Sequence, residues 1–280
     1  MVRLGASLPA RRHGTRDGGR GAAATRRETA RLTAIAFQFL TRIPTPAIRV
    51  DEGDLRRASA AFPLVGLAVA AIAVAVRAAM EPLWGEAVAT LAAVAAMVAA
   101  TGAFHEDGLA DSADGIWGGW DREQRIAIMR DSRLGTYGTV ALLIVLSLRV
   151  ALLVPLSLLD FARAVLAGAV LGRGSILLMV RLLPPAAPDG TGAAVTGPLR
   201  AGGSAVALVT VALAAVVASA VWAPLLLAVG VLVSLACAAL LRRKLGGLTG
   251  DALGATNQLV ELATIAVVAA LAARGWPGLT

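Results

Sequence analysis

The segment GTVALLIVLSLRVALLVPLSL, residues 138–158, decides the structural class of this protein. It can cross a bilayer as a helix, because about 20 mostly apolar residues span the hydrocarbon core. Similar windows recur along the chain, near residues 58–80, 87–104, 138–158, 162–182, 202–221, 224–241 and 255–273. The sequence therefore predicts an all-α, polytopic transmembrane helical bundle of about seven spans.

The overall composition supports a membrane protein. Hydrophobic residues make up 58% of the chain and charged residues 16%, whereas about a quarter of the residues of a soluble domain are charged. The alternating ten-residue segments of an outer-membrane barrel are absent from the sequence. The single cysteine, Cys237, lies in an apolar window, so it supports neither a disulfide nor a thiolate metal site and is expected to be a small core residue.

Much of the net charge of +8 lies at the N-terminus, where residues 1–31 contain eight arginines and two acidic residues. This stretch is rich in Gly and Ala and lacks apolar runs, so we predict a disordered basic tail over 1–31, followed by the membrane domain, 32–280. A polybasic tail beside a membrane binds anionic lipid. We therefore expect the lipid bilayer, and no nucleic acid, as its partner, with a transit peptide as the alternative.

The positive charges outside the tail predict the orientation in the membrane. The connections at 105–137, 183–201 and 242–252 contain nearly all the Lys and Arg of the loops, whereas those near 81–86, 159–161 and 222–223 contain almost none. Basic loops stay on the cytoplasmic side. The sequence thus predicts a multi-pass protein of the cytoplasmic (inner) membrane, with its N-terminus and its acidic loops facing the cytoplasm.

Three aspartates lie at helical spacing in FHEDGLADSADG, residues 104–115. Asp107, Asp111 and Asp114 project within an arc of about 60°, and Glu106 points away from that face. Converging carboxylates repel one another unless a cation lies among them. Oxygen ligands without a zinc-type pattern of His or Cys suit Mg²⁺ or Mn²⁺ better than zinc. We predict that the three aspartates are catalytic and bind Mg²⁺; a solvated helix end is the alternative.

A second group of polar residues occurs in KLGGLTGDALGATNQLVELA, residues 244–263. Asp251, Asn257 and Glu261 share one helical side, and Asp251 is a candidate fourth metal ligand. An ionisable residue inside a span, such as Glu261, is a functional candidate because its burial is costly. The alternative is an ion pair between Glu261 and Arg173, which is also inside a span and is compatible with a substrate site nearby.

The segment DREQRIAIMRDSRLGTYG, residues 121–138, predicts a short interfacial helix. Asp121 and Gln124 have the spacing of a capping box, and charged residues alternate with apolar ones as at a membrane surface. Arg130 and Arg133 follow, and guanidinium groups suit phosphate oxygens; membrane anchoring is the alternative. Because the sequence lacks the P-loop, GxGxxG, HExxH and GxSxG motifs, metal-assisted phosphoryl or nucleotidyl transfer fits best.

Taken in order, five motifs resemble the cobalamin synthase family: FLTRIPTP (39–46), FPLVGL (62–67), FHEDGLADSADG (104–115), IMRDSRLGTYG (128–138) and LGGLTGDALGA (245–255). The resemblance covers about residues 32–272. It implies an integral membrane enzyme that joins adenosylcobinamide-GDP to α-ribazole or its 5′-phosphate. It also implies release of GMP and a requirement for Mg²⁺.

The resemblance assigns roles to individual residues. The three aspartates match its acidic motif, and further polar positions are matched by Asp131, Arg133, Asp251 and Glu261. An aspartate or His105 is expected to accept a proton from the substrate hydroxyl. Two positions depart from the family pattern. Glu106 stands where leucine is common, and we expect its replacement by leucine to be nearly silent. Gln258 stands where glutamate is common, which puts in doubt any role there that needs a carboxylate.

Two other classes of protein remain open at this stage. A CDP-alcohol phosphatidyltransferase also uses aspartates at a membrane face, but Asp111 and Ser112 stand where its motif has Ala and Arg. A cation-coupled transporter would account for the charges inside the spans, but it predicts internal repeats that the sequence does not show. A homo-oligomer is compatible with the sequence.

Overall fold

The computed structural model describes residues 17–51, 53–197 and 201–275, with the backbone alone for 17–24 and 201. The helices are α1 (Asp17–Leu40), α2 (Asp54–Ala58), α3 (Phe62–Thr101), α4 (Phe104–Gly118), α5 (Arg122–Met129), α6 (Thr136–Leu153), α7 (Leu158–Leu182), α8 (Gly190–Val195), α9 (Ala201–Ala218), α10 (Ala223–Leu245) and α11 (Gly250–Ala273). Within these ranges, β-type pairing is limited to an isolated bridge between Pro185 and Leu248. The all-α prediction is confirmed.

Helix α3 is a hairpin of two spans. Gly85 interrupts it with φ 76° and ψ 173°, a backbone conformation that glycine adopts without a steric penalty. The Phe39 ring lies 5.9 Å from the Phe62 ring and 5.2 Å from the Phe104 ring, measured between centroids. Since Phe62 begins α3 and Phe104 follows its end, the chain must reverse at Gly85. The two halves correspond to the first two predicted spans.

Five helical segments are long and apolar enough to cross a membrane: Asp54–Thr101, Thr136–Leu153, Leu158–Leu182, Ala223–Leu245 and Gly250–Ala273. The first contains the hairpin and therefore provides two crossings, and α9 adds a shorter apolar helix. The protein is a multi-pass membrane protein with about seven spans, in agreement with the sequence prediction.

One end of the bundle, the site face, holds the connections that contain residues 102–135, 183–197 and 246–249. Arg122 joins these connections by donating from Nε to the Leu245 carbonyl at 2.7 Å and from its Nη2 to the Ala186 carbonyl at 2.5 Å. Leu248 N donates to the Pro184 carbonyl at 2.9 Å. The three loops that we expected to share one side of the membrane therefore contact one another.

The opposite end, the far face, holds the turns at Gly85, 154–157 and 219–222. Arg77 of α3 donates to the carbonyls of Leu153 and Leu156 at 2.9 and 2.6 Å, so it fixes the hairpin to the α6–α7 turn. We expected that turn at 159–161, and the structure places it earlier. Pro155 lacks the N–H that would continue α6, and Ser157 caps α7.

Helix α1 changes the interpretation of the basic tail. Residues 17–31 form the N-terminal part of this helix rather than a disordered segment, and residues 1–16 lie outside the described residues. Buried Asp54 of α2 accepts hydrogen bonds from Arg31, at 2.5 Å, and from Arg57, which also contacts Glu28 at 2.9 Å. These ion pairs fix α1 to α2, a form of stabilisation that composition alone does not indicate.

Cysteine labelling in membranes tests this topology. In a Cys237→Ala background, we expect Glu123→Cys and Arg243→Cys to react from one side of the membrane and Glu86→Cys from the other. All three positions are exposed, and the first two lie on the site face, where Arg125 donates to the Lys244 carbonyl at 3.2 Å. Labelling of positions 123 and 243 from opposite sides would contradict the fold, because about 30 Å of hydrocarbon would then separate them.

Candidate functional site

The aspartates of two predicted motifs meet where α4 crosses α11. A Cβ atom on Gly108 would lie 2.8 Å from the Asp251 carbonyl oxygen, so only glycine permits this approach. Gly254 faces Gly108 from the other helix. The small residues between the aspartates therefore bring α11 against α4, and Asp251 joins Asp107 and Asp111 at the site face.

These three carboxylates form an uncompensated acidic group. Among the described residues, no other side chain forms a hydrogen bond or an ion pair with Asp107, Asp111 or Asp251. Burial, together with the negative charges of Asp107, Asp251 and Asp114, raises the pKa of Asp111 to about 7. Crowded carboxylates in a poorly solvated place resist ionisation, and a bound cation would reverse that effect.

Asp114 differs from the other aspartates because both of its oxygens have backbone partners. Gly135 N donates to Oδ2 at 2.8 Å, and Gly138 N donates to Oδ1 at 2.9 Å. These amides belong to the N-terminus of α6, whose first N–H groups lack partners within the helix. Asp114 therefore caps α6 and holds the loop that contains Arg130 and Arg133 against α4. Its predicted contact with a metal stays a prediction.

The donor set fits Mg²⁺ in one specific way. Among the described residues, no three His, Cys, Asp or Glu side chains are arranged to hold a metal ion by themselves. Mg²⁺ commonly binds one or two carboxylates and completes its shell with water and substrate phosphates. Unpartnered oxygens on Asp107, Asp111 and Asp251 meet that requirement, whereas Asp114 already accepts two hydrogen bonds.

The arginines expected to contact substrate lie on the site face, just after the end of α5. Asp121 accepts from Gln124 N at 2.8 Å, which confirms the predicted start of this helix. Arg130 pairs with Asp189 at 3.1 Å, and Arg133 forms a two-pronged pair with Asp131, with a shortest contact of 2.6 Å. Both guanidinium groups are exposed and lie in or beside the loop that Asp114 anchors. Their contact with substrate stays a prediction.

Beneath the aspartates lies a buried network of charges, inside the spans. Arg173 of α7 pairs with Glu261 of α11 at 3.0 Å, which is the pairing considered as the alternative from the sequence. Arg149 of α6 lies 3.7 Å from Glu261. Asn257 is fully buried, and neither of its amide atoms has a partner within the described residues. The structure thus places Arg173, Asn257 and Glu261 below the aspartates rather than among them.

Glu106 belongs to this network, which corrects the expectation that its replacement by leucine would be nearly silent. It is 7% exposed, accepts from Gln258 Nε2 at 2.9 Å, and lies 3.8 Å from Arg149. Gln258 in turn accepts a hydrogen bond from Arg149. Replacing Glu106 by leucine would therefore not be silent, because it would remove a carboxylate from Arg149.

His105 faces the same network rather than the aspartates. It is 1% exposed, and neither ring nitrogen has a partner among the described residues. Burial, with smaller contributions from the charges of Arg173 and Arg149, lowers the pKa of His105 well below its ordinary value. It therefore stays neutral and is not exposed at the site face. Arg149 was not among the residues expected from the sequence, although a lone charge within an apolar window is a signal that could have identified it.

The pKa of Asp111 predicts how Mg²⁺ binding depends on pH. Without Mg²⁺, the raised pKa implies that stability falls as pH rises from about 4 towards 7, since the folded state favours the protonated carboxyl. Mg²⁺ needs the ionised form. We therefore expect Mg²⁺ to raise the melting temperature of the purified protein more at pH 8 than at pH 6. Asp111→Asn should reduce that difference, although burial also raises the pKa of Asp251, and an equal Mg²⁺ effect at both pH values in the parent would contradict the assignment.

Comparison with known proteins assigns the family. The family model described as Cobalamin-5-phosphate synthase matches residues 32–269. A relative from Rhizobium etli is 42% identical over 251 residues, which cover 85% of this chain and 95% of the relative. One from Azorhizobium caulinodans is 44% identical over 243 residues, covering 81% and 91%.

A third relative, from Leptothrix cholodnii, is 40% identical over 245 residues and covers 84% of this chain and 93% of its own. All three are named adenosylcobinamide-GDP ribazoletransferase. No solved structure matches the chain. The extent of these matches, which include both aspartate motifs and the loop between them, shows that the chain belongs to the cobalamin-5-phosphate synthase family.

Proposed function

We propose that the protein joins adenosylcobinamide-GDP to α-ribazole, or to its 5′-phosphate, in a Mg²⁺-dependent transfer. The products are adenosylcobalamin, or its 5′-phosphate, and GMP. The observation that carries this proposal is the match to relatives of that name along 91–95% of their length. We place the reaction on the cytoplasmic side of the inner membrane, because the loops of the site face contain most of the basic residues outside the tail.

The proposed chemistry is a single displacement at phosphorus. A hydroxyl of the ribazole attacks the phosphorus bonded to the cobinamide, and a new P–O bond forms. The bond from that phosphorus to the oxygen bridging to GMP breaks, and GMP leaves with the electron pair. Such transfers depend mainly on positioning and on neutralising charge. Arg130 and Arg133 are exposed on the site face and would bind the phosphate oxygens of the departing GMP.

The aspartates would hold the ion and the proton. One or two of Asp107, Asp111 and Asp251 would bind Mg²⁺ together with the substrate phosphates, and the ion when bound would supply charge neutralisation on the pyrophosphate. We assign acceptance of the hydroxyl proton to one of these carboxylates instead of His105, because the imidazole is buried beneath them. Asp114 has a positioning role, because its hydrogen bonds from Gly135 N and Gly138 N hold the loop that contains Arg133 beside α4.

The alternative functions receive less support. A cation-coupled transporter needs carboxylates inside the spans that are free to bind its ion. Here Glu261 is paired with Arg173 and Arg149, and Glu106 lies beside Arg149. A phosphatidyltransferase would require the family motif that the sequence lacks at Asp111 and Ser112.

A reconstituted assay tests the proposal. Purified protein in liposomes should release GMP from adenosylcobinamide-GDP only when α-ribazole or its phosphate and Mg²⁺ are both present, and one corrinoid product should form per GMP. Chelation of Mg²⁺ should stop the reaction, and re-addition should restore it. Turnover that continues unchanged after chelation would contradict the proposed requirement for Mg²⁺. Uptake of cations into the liposomes without GMP release would favour the transporter, and phosphatidyl transfer from a CDP-lipid would favour the third class.

A further inference from the structure

A lateral groove opens between α7, α9 and α10, on the side of α7 away from the aspartates. Gly168 and Gly172 of α7 face Glu261 and Asn257 of α11, whereas Gly174 faces Val211 of α9. The groove has a volume of about 350 Å³. Its location separates it from the proposed reaction, so an inference about it does not depend on the proposed function.

The walls of this groove offer almost no polar group to a ligand. The Ser175 hydroxyl donates to the Gly172 carbonyl at 2.6 Å, and the Ser234 hydroxyl donates to the Gly230 carbonyl at 2.7 Å. Both hydroxyls are therefore satisfied within their own helices, and the rest of the lining is mainly Leu, Val, Ala and Gly. The rim residue Leu208 is 69% exposed, so the groove is open to the surroundings of the spans. A ligand that fills this space must be apolar.

The length of the groove corresponds to one leaflet of a bilayer. It extends from Arg181, at the site-face end of α7, to Leu171 near the middle of that helix. Ten residues of helix rise about 15 Å, which is half of the roughly 30 Å of hydrocarbon. An acyl chain that enters from the site-face leaflet would therefore end where the groove ends.

Positive charge lies at the mouth of the groove and nowhere along its walls. Arg181 is exposed and donates to the Ser204 hydroxyl at 3.2 Å, and within the described residues no carboxylate forms an ion pair with it. Arg242 reaches the same end of α7, where it donates to the Leu182 carbonyl at 2.8 Å. Guanidinium groups at the depth of lipid headgroups attract anionic phosphates.

We propose that this groove is a binding site for an anionic phospholipid of the site-face leaflet, with one acyl chain between α7, α9 and α10 and its phosphate on Arg181. The apolar lining favours an acyl chain, and the depth of the groove limits how far that acyl chain can extend. The guanidinium group of Arg181 favours a negatively charged headgroup.

Native mass spectrometry of the full-length protein, released from detergent with added phosphatidylglycerol or phosphatidylcholine, tests this site. We expect one retained phosphatidylglycerol per chain. Arg181→Gln should lower its occupancy at least about fivefold, and Arg243→Gln, which removes an exposed charge from the same face, should leave it within about twofold. Gly230→Leu should exclude both lipids, because its Cβ meets only ordinary contacts at 3.6 and 3.7 Å and its side chain would fill the groove.

The readout separates this proposal from its rivals. If Arg181→Gln and Arg243→Gln lower the phosphatidylglycerol occupancy equally, anionic lipid is attracted unspecifically and the proposed site is overturned. Unchanged lipid binding by Gly230→Leu that remains monodisperse would overturn it as well. A dimer that Gly230→Leu dissociates would show that a second copy of the chain fills the groove, which is also an overturning result. If Gly230→Leu misfolds, Val231→Phe provides the same test, because it blocks the groove from its exposed rim.

Discussion

Replacing Asp107, Asp111 or Asp251 by Asn should reduce GMP release by at least about a hundredfold, which corresponds to about 2.7 kcal/mol of transition-state stabilisation. Each substitution keeps the size of the side chain but removes a negative charge from a group that has no side-chain partner among the described residues. Because Mg²⁺ and the pyrophosphate depend on that charge, both Mg²⁺ affinity and turnover should fall. The measurement is initial GMP release over a range of Mg²⁺ concentrations.

Two further variants show whether such losses are specific to the site. Glu123→Gln removes an acidic residue that is 80% exposed on the same face, and its turnover should stay within about twofold of the parent. Asp114→Asn should lose turnover and also melt at a lower temperature, because Asp114 accepts the amides of Gly135 and Gly138. Near-normal turnover in all three unpartnered variants would refute the metal site, whatever happens at position 114.

The spans could be predicted from the sequence because membrane insertion depends on local properties. An apolar window of sufficient length needs no knowledge of its neighbours, so the seven windows correspond to helices found in the structure. The reversal at Gly85 lies between two of the predicted windows. The structured part of the tail was missed because its stabilisation comes from Arg31 and Glu28 pairing with residues of α2, which composition does not reveal.

The aspartates were identifiable for a similar reason, since their spacing on one helix fixes a shared face. Their different roles were not identifiable. Asp114 caps α6 only because the loop at 135–138 folds back onto α4, and such a contact between distant segments leaves no periodic signal. The effect of replacing Glu106 was misjudged because the spacing shows only that it points away from the aspartates, and not that α6 and α11 enclose that side of α4.

The buried network predicts a compensating pair of substitutions. Two arginines, Arg149 and Arg173, are balanced by two glutamates, Glu106 and Glu261, and every one of these side chains is at most 9% exposed. Gln258 bridges the two sides, because it accepts from Arg149 and donates to Glu106. Burial raises the pKa of Glu106, and the charge of Arg149 opposes that rise. The two arginines and the two glutamates together give the network no net charge, and a substitution at Glu106 or Gln258 changes that balance.

We expect Glu106→Leu alone to destabilise the protein, because it leaves one buried carboxylate for two arginines. Removing one partner of a buried ion pair costs about 3–5 kcal/mol, which corresponds to a melting temperature lower by about 6 °C or more. Gln258→Glu alone should also lower the melting temperature, since it adds a third buried carboxylate beside Glu106. The combination of Glu106→Leu with Gln258→Glu restores neutrality, and it places the carboxylate where Gln258 already contacts Arg149.

The double variant should therefore recover most of the melting temperature and of the GMP release that each single variant loses. It would also recreate the leucine and glutamate that we noted as common at these positions in the cobalamin synthase family. The cycle of four proteins isolates the coupling between the sites, because each single variant disturbs the charge balance in the opposite direction. Effects that simply add would show that Glu106 and Gln258 act independently, and Arg149 would then not link α4 to α11. A double variant that melts like the parent has regained its charge balance. If it still lacks turnover, charge balance is not sufficient for activity, and the network has a direct role at the site.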